Sequence, residues 1–316
     1  MHAGRLLAMR LLQVVPIIVV ATFVVFGLLH LTPGDPAMML AGDNPTPQHV
    51  AEIRHLYGLD RPFLDQYGLW LWHAAHGDLS QSLLTRAPVS SLILQRLPNT
   101  LLIVALALVL GLGFGIPLGI AAAVRNGSAV DQALTSAASL GVALPSFWLA
   151  MILVTVFALD LNWFPASGAA SLLGAPLDAL RHAALPAIAL AGSTVAEVAR
   201  QLRSALIEVL GTQYIRTLRA KGLSPTRILW KHGLKNVAVT LLTVTGLMVN
   251  RLLGATVVIE AVFAIPGTGS LISYSAINKD FPVVQGVVFV LVIGVILTNL
   301  LVDLVAAALD PRVSRA

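Results

Sequence analysis

Cysteine is absent from this 316-residue chain, so it builds no disulfide and carries out no thiolate chemistry. Charge is scarce as well: Asp, Glu, Lys and Arg make up 11% of the residues, less than half the roughly 25% usual in soluble chains. Acids are the scarcer sign, 15 against 20 Lys and Arg, which leaves a formal charge of +5. No HExxH, G-x-S-x-G or GxxxxGK[ST] pattern occurs, which excludes a zincin, an α/β-hydrolase and a P-loop ATPase. Serines and histidines fall at no spacing that suggests an intramembrane protease. A passive channel, the alternative from a different class, needs a symmetric pore-lining repeat, and none is visible. What fills the chain instead is apolar: 57% hydrophobic residues and a mean hydropathy of +0.85.

Such a composition directs attention to membrane spans. Charge-free stretches run over 11–34, 97–124, 132–159 and 281–302, each longer than the ~20 residues a bilayer-crossing helix needs. Two more, 182–196 and 236–250, reach only 15 residues and become spans only if Glu197, or Arg251 and Glu260, enter or border the membrane. The expectation is an all-α integral membrane protein of about six transmembrane helices. The first apolar run follows Arg5 and Arg10 as a signal peptide would, but no small-residue cleavage site comes after it, so it reads as an uncleaved first span.

A pI near 10.0 does not require nucleic acid, because positive charge gathers on the cytoplasmic side of membrane proteins. With the N-terminus inside, Arg5, Arg10, Arg125, Arg200, Arg203, six residues of 214–236, Arg312 and Arg315 make thirteen cytoplasmic cations. Six fall outside: Arg54, Arg61, Arg86, Arg96, Arg181 and Lys279. Both termini are therefore expected in the cytoplasm. The chain divides into a tail and first span (1–34), an external loop (35–96) and a membrane core (97–312) containing a cytoplasmic segment (213–236). The external loop forms a cap of short helices between spans one and two. One has Thr46 as N-cap, Pro47 at its first position and Gly58 as its stop. A second carries Trp70 and Trp72, suited to the membrane–water interface.

Three further features carry candidate chemistry. His73 and His76 lie three apart, half of a metal site at most, and better read as a solvated pair. Gly111, Gly115 and Gly119 form a flat stripe for close helix approach, within the chain or against a partner subunit. Arg251 and Glu260 share a helix beginning near Asn236, ~22 Å and ~36 Å along it at 1.5 Å per residue. Nine residues apart, they face opposite sides and cannot pair with each other. An arginine at that depth faces a cavity or an acid from another helix, so both residues are pathway candidates.

The segment 214–236, YIRTLRAKGLSPTRILWKHGLKN, holds Arg216, Arg219, Lys221, Arg227, Lys231 and Lys235 without an acid. Gly222 suits a left-handed helix stop, and Ser224 an N-cap followed by Pro225. Arg227, Lys231 and Lys235 make a basic stripe, with Ile228, Leu229 and Trp230 on an apolar side. Lipid headgroups attract such a stripe, and a segment anchored by spans at both ends is a poor reader of a DNA groove. A capped turn suits docking of a cytoplasmic protein better than either.

This segment resembles the coupling loop of binding-protein-dependent ABC importer permeases, in particular the B-type subunit of the dipeptide/oligopeptide/nickel group. LTPGDPA, LYGLDRPFLDQY, GDLSQS, FPASG, LPAIAL, EAVFAIPGTGSL and DPRV extend the resemblance over nearly the whole chain. Leu218 stands where the group usually has alanine, Ser80 replaces a glycine, and Gln201 follows Arg200 where a variable or bulky residue is common. The resemblance implies a non-enzymatic permease subunit of a bacterial inner membrane, with its coupling loop between helices 4 and 5. It would form half of a pathway for short peptides, or alternatively for nickel chelates or another small solute. Arg219, Ala220, Lys221, Gly222, Leu223, Ser224 and Pro225 would dock on cytoplasmic ATPase subunits. Those subunits bind ATP and Mg; this chain would hold no cofactor or metal. A second homologous permease, an extracellular solute-binding protein and membrane lipid are the other implied partners.

Overall fold

The computed structural model describes residues 2–31, 34–42 and 46–309. The terminal DPRVSRA with Arg312 and Arg315, Thr32 and Pro33 of LTPGDPA, Asp43, and the side chains of Arg5 and Arg10 lie outside the described residues. Among the described residues the regular structure is helical, with a single antiparallel bridge between Gln81 and Pro88. Five helices among the described residues are long and apolar enough to cross a membrane, and a sharply bent pair makes a sixth if it counts as one span. The described residues form two compact units, those within 1–100 and 266–296, and those within 101–265 and 297–316.

The first unit contains α1 (His2–Leu31), α2 (Pro36–Leu40), α3 (Pro47–Leu56) and α4 (Phe63–Ala75). It also takes the beginning of α5 (Val89–Val124), all of α12 (Thr268–Ile277) and the first half of α13 (Phe281–Leu309). Thr46 caps α3 by accepting from His49 N at 3.2 Å, with Pro47 at the first position as expected. Around Phe26, Tyr67, Trp70, Val89 and Val283 an apolar core closes, and the Tyr67 hydroxyl meets Thr22 Oγ1 at 3.0 Å. Trp70 departs from its expected interfacial role. It is buried against Phe289, edge to face, because α4 turns this residue inward, whereas Trp72 remains exposed. In the α3–α4 turn, the hydrogen bond from His55 holds the exposed Asp60 carboxyl below its ordinary value.

The second unit takes the rest of α5 and α6 (Ala129–Ala143), then α7 (Ser146–Leu153), which widens into a π-helical stretch over Val154–Asp160. Next come α8 (Pro176–Leu210), α9 (Gln213–Ala220) and α10 (Pro225–Arg227), which runs through π-helical Ile228–Gly233 into α11 (Leu234–Val262). The stretch 132–159, expected as a span, is bent by 91° between α6 and α7. Pro145 explains the break, since it drives Leu144 to an extended ψ of 122°. The 15-residue stretch at 182–196 underestimates α8, a 35-residue helix that keeps Glu197, Arg200 and Arg203 inside it by pairing them.

The glycine stripe packs within the chain. A Cβ on Gly111 would lie 2.3 Å from Thr194 Cγ2, on Gly115 2.8 Å from Val198 Cβ, and on Gly119 2.8 Å from the Ala199 carbonyl oxygen. α5 and α8 are thus in backbone-to-backbone contact, the approach that small residues permit.

Candidate functional site

The basic segment begins where α8 ends, at Leu210 and Gly211. α9 buries Ile215 and leaves Arg216 and Arg219 in solvent. Lys221 closes it, and Gly222 then takes φ +80°, a left-handed conformation that L side chains rarely adopt. Leu223 N donates back to the Leu218 carbonyl at 3.2 Å, so the turn satisfies the helix end. Leu218 itself is half-buried. Ser224 Oγ accepts from Arg227 N at 3.3 Å and Pro225 occupies the first position of α10. Ile228 anchors this second arm by burial, and Tyr214 Oη lies 2.7 Å from His232 Nδ1, joining the arms.

The result is a turn capped on both sides, carrying charge outward. All six basic side chains are exposed, and among the described residues none is in an ion pair. Trp230, expected on the apolar side, is exposed at 62% while its neighbour Ile228 is at 2%. Space remains around Gly222: a Cβ there would meet nothing within 4 Å. Behind the turn lies a recess of about 660 Å³ lined by Val124, Asn126, Leu210, Arg219, Pro225 and Trp230, among others.

Two acids sit in α6 and α8 near this end of the unit. Glu197 accepts from Arg200 and from Gln201 Nε2, the latter at 3.0 Å. Asp131 receives Arg203 in a fork, Nε to Oδ1 at 2.5 Å and Nη2 to Oδ2 at 2.7 Å. The pattern along the chain gave no sign of this pair, because the partners are 72 residues apart.

Residues 115–315 match the family described as the binding-protein-dependent transport system inner membrane component, and residues 4–104 match the N-terminal region of such membrane components. The chain belongs to this family. A putative peptide transport system permease protein of Brucella suis is 41% identical over 98% of both chains. The oligopeptide transport system permease AppB of Bacillus subtilis is 36% identical over 96% of this chain and 97% of its own. The glutathione transport system permease GsiC of Salmonella typhi is 37% identical over 96% and 97%. In fold, the permease is similar to a chain of the MetNI methionine ABC transporter in an inward-facing conformation. That match has a TM-score of 0.58 and 21% identity, and covers 70% of this chain and 97% of that one.

Within this multi-pass membrane permease, Arg251 and Glu260 fall on opposite faces of α11, as their spacing requires. Arg251 is exposed and has no ion pair among the described residues, whereas Glu260 is fully buried. The Glu260 carbonyl accepts from Ile265 N at 2.9 Å, and Phe263 O accepts from Gly168 N at 3.0 Å, which brings FPASG against EAVFAIPG. The two histidines at the end of α4 are separately engaged, His73 beside Asp78 at 3.5 Å and the capping His76 Nδ1 on the Trp72 carbonyl at 2.8 Å.

Proposed function

We propose that this permease forms half of a translocation pathway for short peptides, delivered by an extracellular solute-binding protein and driven by separate ATPase subunits. A second, homologous permease supplies the other half. The observation that carries the reading is the capped basic turn. Arg219, Ala220, Lys221, Gly222, Leu223, Ser224 and Pro225 form a stiff projection whose charge the chain itself leaves uncompensated. Rigidity of this kind suits transmission of force from a docked partner, in which ATP and Mg would be bound. The named peptide, oligopeptide and glutathione permeases support the substrate class.

The orientation in this proposal follows the distribution of Lys and Arg. Both termini and 213–236 face the cytoplasm, 35–96 forms the external cap, and 97–312 is the membrane core in contact with lipid. Arg251, exposed on α11, lines the pathway and attracts the peptide carboxylate weakly, as transit requires. Glu260 supports the same helix from its buried face.

Reconstitution of the whole complex in vesicles tests the reading, with a labelled tripeptide as cargo. Uptake is expected only with binding protein on the 35–96 side and ATP on the 213–236 side. Gly222→Val meets no neighbour, so its direct costs are the left-handed penalty of ~1 kcal/mol or more and a side chain placed at the docking face. The variant should insert and assemble with the second permease, yet lose uptake and binding-protein-stimulated ATP hydrolysis. Normal uptake by Gly222→Val, or uptake without ATP, would overturn the proposal.

A further inference from the structure

α6 is fifteen residues long and mostly apolar, yet its one buried side chain is an aspartate. Val130, Leu140 and Val142 are all exposed. Where α6 faces α8, a crevice of about 190 Å³ remains, bordered by Leu134, Ala138 and Gly141 on one side and Val195, Ala196 and Ala199 on the other. Close contact along that face is made at Gly141, where a Cβ would stand 3.3 Å from the Gly192 carbonyl and Ala196 Cβ. Small residues therefore let α6 lie along α8, but the crevice beside them leaves its angle without shape complementarity.

Asp131 supplies a directional attachment at one end of that face. It is 3% exposed and accepts both nitrogens of the Arg203 fork, as well as Gly127 N at 2.9 Å. The Arg203 Nη2 also donates to Asn126 Oδ1 at 3.1 Å, so the guanidinium ties the whole α5–α6 turn to α8. A bidentate guanidinium–carboxylate pair fixes angle as well as distance. Arg203 stands ten residues before Gln213, the start of α9, or ~15 Å along a helix. Asn126 lines the recess behind the basic turn. The glycine seam keeps α8 in register with α5, so displacement of the turn reaches α8 first.

We propose that the Asp131–Arg203 fork is a positioning link that makes α6, and the bent α7 after it, move with the basic turn. This rests on the reading of 213–236 as the ATPase-docking segment. The link acts through geometry and touches neither nucleotide nor cargo.

The test uses the complete complex with spin labels on Ser139 of α6 and Glu208 of α8, both exposed. In the otherwise unmodified protein, the distance between labels should be narrow and the same without nucleotide and with ATP plus vanadate. Asp131→Asn keeps an acceptor for Gly127 N but removes the charge that holds the fork. It should broaden the distribution or make it nucleotide-dependent. Binding-protein-stimulated ATP hydrolysis per assembled complex should fall roughly tenfold, within the range usual for coupling between sites. Arg203→Lys, which retains charge without the fork, should fall between the two and carries the test if Asp131→Asn assembles poorly. Unchanged distances and stimulation in both variants would overturn the link. So would loss of yield alone with normal stimulation per complex, or failure of both to assemble, since either makes the pair a folding element. Absence of binding-protein stimulation in the unsubstituted complex would instead remove the docking reading beneath it.

Discussion

α5 and α6 lie against the same helix, α8, and are held there by opposite means. α5 meets it through Gly111, Gly115 and Gly119, with no room for a single added carbon. α6 packs along it with a crevice left between them, and its one buried side chain there is a carboxylate in a forked ion pair. Shape complementarity spreads a small gain over many atom pairs, so it resists displacement in all directions and tolerates little change. A forked ion pair concentrates attachment at one point and in one orientation. The first arrangement makes two helices one body. The second fixes one end of a helix in one orientation, while Val130, Leu140 and Val142 along it stay exposed.

Gly119→Val should have the largest effect of any change considered, because the atom opposing the new Cβ is the Ala199 carbonyl oxygen rather than a movable side chain. Overpacking usually costs ~1–3 kcal/mol, and an obstructing backbone puts this site at or above the top of that range. Little assembled complex should survive solubilisation, as judged by gel filtration. Gly113, on the same helix, has nothing within 4 Å of its Cβ position, and Gly113→Ala should match the unsubstituted protein. Equal behaviour of the two variants would dissolve the contrast between seam and clamp.

The same contrast explains what the sequence made legible. Runs of uncharged residues mark spans because burying a charge in hydrocarbon is costly, so 11–34, 97–124 and 281–302 correspond to parts of α1, α5 and α13. The four-residue glycine period likewise announced a close approach, and Gly222 with Ser224 and Pro225 announced a capped turn. All of these are local signals. The span within α8 was expected, but its length was hidden because Glu197, Arg200 and Arg203 looked like the end of a span, when each acts inside the helix with a partner. Asp131 looked like the residue bounding 132–159, and its role depends on an arginine that only folding brings near. Pro145 stood in plain view, but the size of the bend it permits is set by tertiary packing.

A second buried aspartate sharpens the comparison. Asp280, in the first unit, is 2% exposed and accepts from Ser82 Oγ at 2.5 Å and Leu83 N at 2.9 Å. Its surroundings differ from those of Asp131: Leu79, Leu83, Val89, Val283 and Val284 are all buried nearby in sequence or across the same turn. Asp280→Ala strands a backbone donor and removes the partner of a buried hydroxyl, at ~1–3 kcal/mol for an unsatisfied buried group. A lower melting temperature in detergent is expected, with normal stimulated ATP hydrolysis in the complex that remains folded. Asp131→Asn should show the reverse balance. If Asp280→Ala instead uncouples hydrolysis without lowering the melting temperature, burial around an aspartate does not decide which role it plays.

The smallest effect belongs to Ser80, within the turn that Asp280 holds. Ser80 N donates to Asp78 Oδ1 at 2.8 Å and its carbonyl accepts from Val89 N at 3.0 Å, leaving the residue at φ +67°. That conformation explains why the resemblance leads one to expect glycine here. A serine in the left-handed region is opposed by its own Cβ, at a cost of roughly 1 kcal/mol, which the Asp78, Ser82 and Asp280 hydrogen bonds must offset. Ser80→Gly removes that cost, while the greater freedom of glycine in the unfolded chain returns part of it. The net gain in thermal stability should be a fraction of the loss in Asp280→Ala, with uptake unaffected. Combining the two substitutions decides how far Asp280 enforces the strain: with Asp280 removed, only the Asp78 and Val89 hydrogen bonds hold residue 80 in the left-handed region, and Ser80→Gly should then bring a smaller gain. An equal gain in both backgrounds would mean that the turn holds its shape without Asp280.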